Sequence, residues 1–145
     1  MKKKNSFLTA YVILFSFFLL GCISCNEKLP NPDKTASEFC QAIAQMDFEK
    51  CMSLSLDSLQ TEISKEIEIA KGKAGGMYET ITNEIKTYEV TTKIIKSETN
   101  KKENTAVVTV FLKMDKIHPN GITFNVSLRF INKQWLIYNV EGETI

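Results

Sequence analysis

A cysteine at the end of an apolar N-terminal run has the sequence context of a lipid attachment site. Cys22 follows Leu19-Leu20-Gly21, which puts leucine at −3 and glycine at −1 relative to the cysteine. This is the pattern of a bacterial lipobox, in which the thiol takes a diacylglycerol and cleavage frees the amine for a further acyl chain. Several chains give durable anchoring, since each buried CH₂ contributes about 0.8 kcal/mol. The sequence therefore predicts lipidation at Cys22; Cys25 is a rival with the less favourable Cys22 at −3.

The residues before this cysteine have the organisation of a secretory signal. Three lysines at positions 2–4 precede the uncharged run from Phe7 to Leu20, as in the n-region and h-region of a signal peptide. The run is short for a membrane span, which needs roughly 20 apolar residues. We expect residues 1–21 to be a lipoprotein signal peptide, 22–31 the lipidated cysteine and a tether, and 32–142 one folded domain. This organisation predicts attachment to the extracytoplasmic side of a bacterial cell envelope, at the outer membrane if the cell has one.

Two further cysteines, Cys40 and Cys51, fall on the apolar sides of consecutive predicted helices. An exported protein enters an oxidising compartment, where a bridge across this short loop would stabilise the fold by roughly 3 kcal/mol. The alternative is a pair of small buried hydrophobic residues that never come within bonding distance. Both interpretations stay open on the sequence alone. A catalytic thiol has little support, because neither cysteine is accompanied by a histidine or a basic cluster.

Histidine and carboxylates give little sign of catalysis. His118 is the single histidine and precedes Pro119-Asn120-Gly121, a combination typical of a turn, so we expect it at a loop tip, far from any cavity. No acidic cluster has ligand spacing and no Cys-x-x-Cys lies in the domain, so the sequence predicts neither a metal nor another cofactor. It predicts no catalytic residue either.

Aromatic residues with a polar tip could line a pocket for a small planar ligand. The same residues would equally serve an ordinary core, which is the commoner role of buried aromatic side chains. The candidates for pocket lining are Tyr78, Tyr88, Phe124, Trp135 and Tyr138.

Charge argues against a nucleic-acid partner. The full chain has 18 basic and 17 acidic residues, and removal of residues 1–21 leaves 15 basic and 17 acidic ones. A nearly neutral domain has no net field to attract nucleic acid or to hold an anionic membrane surface. We therefore expect the acyl chains to supply the membrane attachment.

The first half of the predicted domain has helical periodicity. A helix is expected from Pro32, with Asn31 as its cap, and a second short helix after Asp47. An apolar stripe then continues at spacings typical of one helix side, which we expect to pack on the protein's own sheet. Gly75-Gly76 predicts a break in that helix, since glycine costs about 1 kcal/mol at an interior position. The stripe contains Ile63, Ile67, Ala70, Ala74, Met77 and Ile81.

The second half has the period of two that is typical of strands. Apolar residues alternate over four segments between Tyr88 and Val140, separated by turn residues at 99–104, 118–121 and 132–133. On the third segment the opposite face is polar. This order predicts an α+β fold, with N-terminal helices packed on a curved four-stranded antiparallel sheet. The polar face contains Thr123, Asn125, Ser127 and Arg129.

Two stretches resemble a known family. The segment from Ala36 through Ala44-Gln45-Met46-Asp47-Phe48 to Lys50 is similar to its opening helix, small-polar turn and D-[YF]-x-x-A signature, and Leu128 to Ile137 is similar to its L-V-x-x-[DN]-G-K-W-x-[IV] ending. The chain thereby resembles small bacterial lipoprotein domains of unknown function, sometimes labelled lumazine-binding-like, within the nuclear-transport-factor-2-like (cystatin-like) superfamily. Lys133 replaces that family's glycine and Cys51 its usual alanine. The resemblance implies a cone whose open end holds a small molecule or a partner.

These features favour a non-catalytic, membrane-anchored binding or adaptor domain whose partner is an unidentified protein or small molecule. The alternatives are a cone-fold enzyme of the isomerase or dehydratase type, which needs a titratable group in a cavity, and a structural lipoprotein that oligomerises, for instance as a homodimer, through its sheet. Superfamily resemblance supports the fold more than any of the three functions.

Overall fold

The computed structural model describes residues 28–143, which form helices followed by a four-stranded antiparallel sheet. The predicted α+β class is confirmed. The predicted signal, Cys22 and Cys25 lie outside the described residues. The helical part comprises α1 (Asp33–Ala44), α2 (Phe48–Ser53), α3 (Asp57–Ala74), a 3₁₀ turn (Gly75–Met77) and α4 (Tyr78–Ile85). The strands are β1 (Val90–Asn100), β2 (Thr105–Met114), β3 (His118–Ile131) and β4 (Gln134–Glu143).

Helix α1 begins where the sequence predicts and packs its apolar side on the sheet. The side-chain oxygen of Asn31 accepts a hydrogen bond from the backbone N–H of Asp33 at 2.9 Å, which satisfies one of the free donors at a helix start. Ala36, Phe39 and Cys40 are buried at helical spacing against β1 and β2. Helix α1 is therefore the main element covering the sheet.

A residue in the left-handed backbone conformation ends α1, and the chain then turns into α2. The N–H of Met46 donates to the carbonyl of Ile43 at 3.0 Å, and the N–H of Asp47 donates to the carbonyl of Ala42 at 2.8 Å. This pair of bonds is the Schellman arrangement, whose left-handed position is usually glycine; here Met46 occupies it with φ 56°. The Asp47 carboxylate then caps α2 by accepting from the N–H of Lys50 at 3.2 Å.

The predicted break between α3 and α4 is confirmed. The 3₁₀ turn Gly75–Met77 separates the two helices, and Gly75 has φ 54°, a backbone conformation that costs glycine little. We expected the apolar stripe of this broken helix to pack on the sheet along its whole length, and it does not.

The last two residues of the apolar stripe, Met77 and Ile81, are exposed, so the predicted packing on the protein's own sheet is wrong there. Helix α3 meets the sheet at its start, where the N–H of Leu56 donates to the carbonyl of Ile137 at 2.8 Å. Ile63 still packs against the core. Met77 is 64% exposed and Ile81 is 39% exposed. They lie in the 3₁₀ turn and in α4, beyond the helix α3 that contacts β4.

The core lies between α1 and one face of the sheet, whose strand order is β1-β2-β3-β4. Every ladder contains a register shift, and such bulges increase the twist and bending of a sheet. The fully buried side chains alternate along the strands, as the period of two predicts. The largest are Phe39, Leu112, Leu128, Ile137, Val108, Val110 and Val126.

The turn between β2 and β3 lies earlier than predicted. Met114 pairs with His118, so residues 115–117 form the turn. Strand β3 already includes Pro119-Asn120-Gly121, which lie in the register shift between the Leu112–Ile122 and Met114–His118 pairs. The turn-forming residues thus make a bulge inside the strand; Gly121 supplies its φ of 82°.

The two ends of the sheet carry different structures. The β1–β2 turn and the β3–β4 turn lie at one end, where the N–H of Phe130 donates to the carbonyl of Asn104 at 2.8 Å. The chain joins the domain at this same end, since the Trp135 indole N–H donates to the carbonyl of Pro30 at 2.7 Å. We call it the tether end, and the opposite end with the β2–β3 turn the open end.

Candidate functional site

The main candidate site is an apolar cavity at the open end. Its volume is about 280 Å³, close to the lower limit of cavities that hold small organic ligands. Eight of its nine lining residues are apolar. They come from the end of α1, the end of α4, strands β2 and β3 and the turn between these strands: Ile43, Ala44, Ile85, Leu112, Met114, Ile117, His118, Ile122 and Phe124.

Strand alternation and helix ends together create this space. Leu112 and Met114 share one face of β2, and Leu112 pairs with Ile122 across the ladder, so these side chains point the same way. Above them Ala44 ends α1, and its short side chain leaves the sheet face open. Ile85 closes the remaining side from the end of α4. The cavity is where the covering helix stops before the sheet does.

His118 lies in the wall of this cavity, so the expectation that it is far from any cavity is wrong. It pairs with Met114 at the start of β3 and remains solvent-exposed. The cause is the displaced turn, which places His118 on the strand rather than at the loop tip. Within residues 28–143, no group of three or more histidine, cysteine, aspartate or glutamate residues is placed to hold a metal ion.

The five aromatic residues predicted as pocket lining do not come together. Phe124 lines the cavity. Trp135 is 4% exposed and packs in the core at the tether end, with its ring centroid 5.2 Å from that of Phe130. The three tyrosines lie partly or fully exposed, each beside a cation: Tyr78 by Lys71 at 5.9 Å, Tyr88 by Lys116 at 4.5 Å and Tyr138 by Arg129 at 5.3 Å.

The Tyr88 hydroxyl forms a local contact rather than a ligand-binding one. It donates a hydrogen bond to Glu84 at 2.7 Å. This hydrogen bond to a carboxylate, with smaller effects of desolvation and the same negative charge, raises the pKa of Tyr88.

Cys40 of α1 and Cys51 of α2 are buried in the core and are not bonded to each other in this structure. Burial raises the pKa of Cys40 to about 12, and the neighbouring Cys51 adds to the rise. Burial also raises the pKa of Cys51 to about 12, helped by the charge of Asp47. Because an unfolded thiol ionises near pH 8.5, the folded dithiol binds protons more tightly. Its contribution to stability is complete below about pH 8.5 and is lost as the pH rises towards 12. Pairing of the two thiols stays a prediction.

A second cleft, of about 260 Å³, lies at the tether end. Its apolar surface comes from Leu29, Pro30 and Phe130, and lysines 28 and 133 also line it. The tether end thus combines an apolar floor with cationic side chains.

Most of the cavity residues were not singled out by sequence reasoning. Ile43 and Ile85 have the spacing of ordinary helix-core residues, and Met114 that of an ordinary strand. The small size of Ala44 is no signal either, because α1 also buries the small residues Ala36, Cys40 and Ala42. Nothing local distinguishes a side chain that fills the core from one that faces a cavity.

Comparison of the chain with protein-family models, curated proteins and solved structures found no match. Among residues 28–143, no helix is both long enough and apolar enough to span a membrane.

Proposed function

We propose that this protein is a lipid-anchored lipoprotein of a bacterial cell envelope whose domain binds a small apolar molecule without catalysing a reaction. The anchor is the acylated Cys22 of the lipobox, and the fold is that of the lumazine-binding-like lipoprotein domains. The observation that carries the binding proposal is the cavity at the open end, with eight apolar side chains among nine.

The size and chemistry of the cavity define the ligand class. An engineered apolar cavity of about 150 Å³ holds benzene, so a cavity of about 280 Å³ is suited to one fused pair of rings or a short branched chain. The unprotonated ring nitrogen of His118 can accept one hydrogen bond from such a ligand. Indole has this combination of an apolar body and one polar group, which makes it a suitable probe.

Thermal unfolding of the purified protein with increasing indole tests the proposal. Binding to the folded state alone raises the melting temperature as the indole concentration exceeds Kd. Filling the cavity with Ala44→Leu should weaken indole binding on the order of tenfold, the loss of about 1.4 kcal/mol. Ala70→Leu adds the same atoms on the far part of α3, away from the cavity, and serves as the matched control.

Either of two results would contradict the binding proposal. One is a melting temperature that indole and similar one- or two-ring molecules leave unchanged. The other is an equal loss of binding in the Ala44→Leu and Ala70→Leu variants, because that loss would not arise at the cavity.

A cone-fold enzyme of the isomerase or dehydratase type is the second candidate, and the position of His118 in the cavity wall is the observation in its favour. Proton transfer needs a titratable group within reach of the ligand. Mass spectrometry of a molecule that co-purifies with the protein distinguishes the two functions. A binding domain returns the molecule unchanged after incubation, whereas an enzyme converts it and its His118→Gln variant does not.

A further inference from the structure

Four exposed lysines come together at the tether end of the sheet. Lys101 and Lys102 lie in the β1–β2 turn, Lys133 lies in the β3–β4 turn and Lys28 stands where the chain joins the domain. Glu103 is the acidic residue of these two turns. The result is a local excess of positive charge on a nearly neutral domain.

Hydrogen bonds hold the three segments of this end side by side. The Phe130 N–H donates to Asn104 at 2.8 Å and so joins the two turns. The Trp135 indole N–H donates to Pro30 at 2.7 Å and so fixes the joining chain beside the β3–β4 turn. The lysines are therefore carried by an ordered surface.

The open end lacks a comparable excess in its turn. Lys113 lies 3.3 Å from Asp115 and the two charges compensate each other. Lys116 lies over the ring of Tyr88, whose hydroxyl contacts the Glu84 carboxylate. Positive charge is thus concentrated at the tether end. The nearly zero net charge of the whole sequence does not show this uneven distribution.

We infer that the tether end, with Lys28, Lys101, Lys102 and Lys133, seats the domain on the surface of an anionic phospholipid bilayer. Lysine side chains are attracted to such a surface within about a Debye length, near 10 Å. The cleft between Lys28 and Lys133 adds the apolar floor of Leu29, Pro30 and Phe130, which suits the boundary between head groups and acyl chains. This inference rests on the acylated Cys22 proposed above.

The length of the tether favours a bilayer as the occupant. Lys28 follows Cys22 by six positions, and a fully extended chain of that length spans at most about 20 Å. An acylated Cys22 thus keeps the lysines near the lipid head groups. An acidic protein partner would match the same charges but would have to enter this narrow space.

Seating in this orientation turns the cavity away from the membrane. Strand β3 passes from Phe124 in the cavity wall to Phe130 at the tether end, a distance of about 20 Å at 3.4 Å per residue. The open end then faces the aqueous compartment, where its ligand is accessible.

Energy transfer from Trp135 to dansyl-labelled head groups tests whether the tether end binds the bilayer in the full, processed protein. Trp135 is the single tryptophan of the chain and lies at the tether end. The protein is reconstituted into vesicles of phosphatidylcholine alone, or of equal parts phosphatidylcholine and phosphatidylglycerol. We expect higher transfer with phosphatidylglycerol, lost in 1 M salt, where the Debye length is about 3 Å.

Paired substitutions locate the effect. Lys28→Gln with Lys133→Gln should lower the ratio of seated to unseated domains about 30-fold. Lys86→Gln with Lys93→Gln removes the same charge from the open half and should leave the ratio unchanged.

Equal energy transfer in the two kinds of vesicle would contradict binding of the tether end to the bilayer. An acidic protein would then be the better candidate for contact with the lysines. An equal loss in both paired variants would contradict binding of the tether end too. If the protein washes off vesicles of both kinds, both the lipid anchor at Cys22 and the binding of the tether end to the bilayer are contradicted. If the protein stays on the vesicles but energy transfer is equal in both kinds, only the binding of the tether end is contradicted.

Discussion

Replacing Lys133 by glycine should stabilise this protein. Ile131 pairs with Gln134, so Asn132 and Lys133 form a two-residue turn, and their φ angles are 50° and 66°. Positive φ at both positions is the signature of a type I′ turn, which prefers asparagine followed by glycine. The chain thus keeps this turn although lysine stands at the glycine position. Left-handed backbone costs a residue with a Cβ atom about 1–2 kcal/mol.

The net gain is smaller than this cost. Glycine also gives the unfolded chain more conformational freedom, which opposes the gain by roughly 0.4–1 kcal/mol. We therefore expect Lys133→Gly to raise the free energy of unfolding by about 0.5–1 kcal/mol. For a domain of this size the melting temperature should rise by about 2–4 °C.

Urea unfolding followed by Trp135 fluorescence measures the effect, because this buried residue lies two positions after Lys133. The transition midpoint should rise while the dependence of the free energy on urea stays constant. Lys133→Ala is the matched control, since it removes the charge and the long side chain but keeps the Cβ atom; we expect it within about 0.5 kcal/mol of the parent. A glycine variant no more stable than the alanine variant would refute the assignment of strain to this turn.

Two further predictions concern the helical hairpin. Met46→Gly should raise the free energy of unfolding by up to about 1 kcal/mol, because Met46 has φ 56° at the end of α1; a lower urea midpoint would show that its side-chain packing outweighs the strain. The reduced protein should lose stability between about pH 9 and 12 by up to about 1.4 kcal/mol per pH unit for each buried thiol. The Cys40→Ala/Cys51→Ala variant should lose much less stability over this pH range. If the wild-type protein shows the loss of stability only after reductant is added, it has a Cys40–Cys51 disulfide.

The two roles that we propose for this domain lie at opposite ends of its sheet. The tether end collects the lysines and the chain that leads to Cys22, while the open end holds the cavity with His118 in its wall. Since the two are about 20 Å apart along β3, a substitution at one should not change the behaviour of the other. The cavity variant Ala44→Leu and the lysine variants therefore test independent properties.

Local sequence patterns were sufficient for the fold class and for several boundaries. Alternation with a period of two predicted four strands, Asn31 and Pro32 predicted the start of α1, and Gly75-Gly76 predicted the break after α3. Each of these features depends on residues that are neighbours in the chain. Backbone propensities and side-chain periodicity act at that range, and they are read directly from adjacent residues.

The sites depended on contacts between distant segments. His118 reached the cavity because a register shift between Leu112 and Met114 moved the turn, and the tether end formed because Pro30 meets Trp135, 105 positions later. The exposure of Met77 and Ile81 likewise reflects the position of the 3₁₀ turn and α4, which follow the helix that contacts the sheet. Spacing assigns a side chain to a face of its own strand or helix, but strand register and helix placement decide what that face meets. Strand register and helix placement are set by packing of the whole core. The cavity and the lysine cluster therefore depend on tertiary contacts.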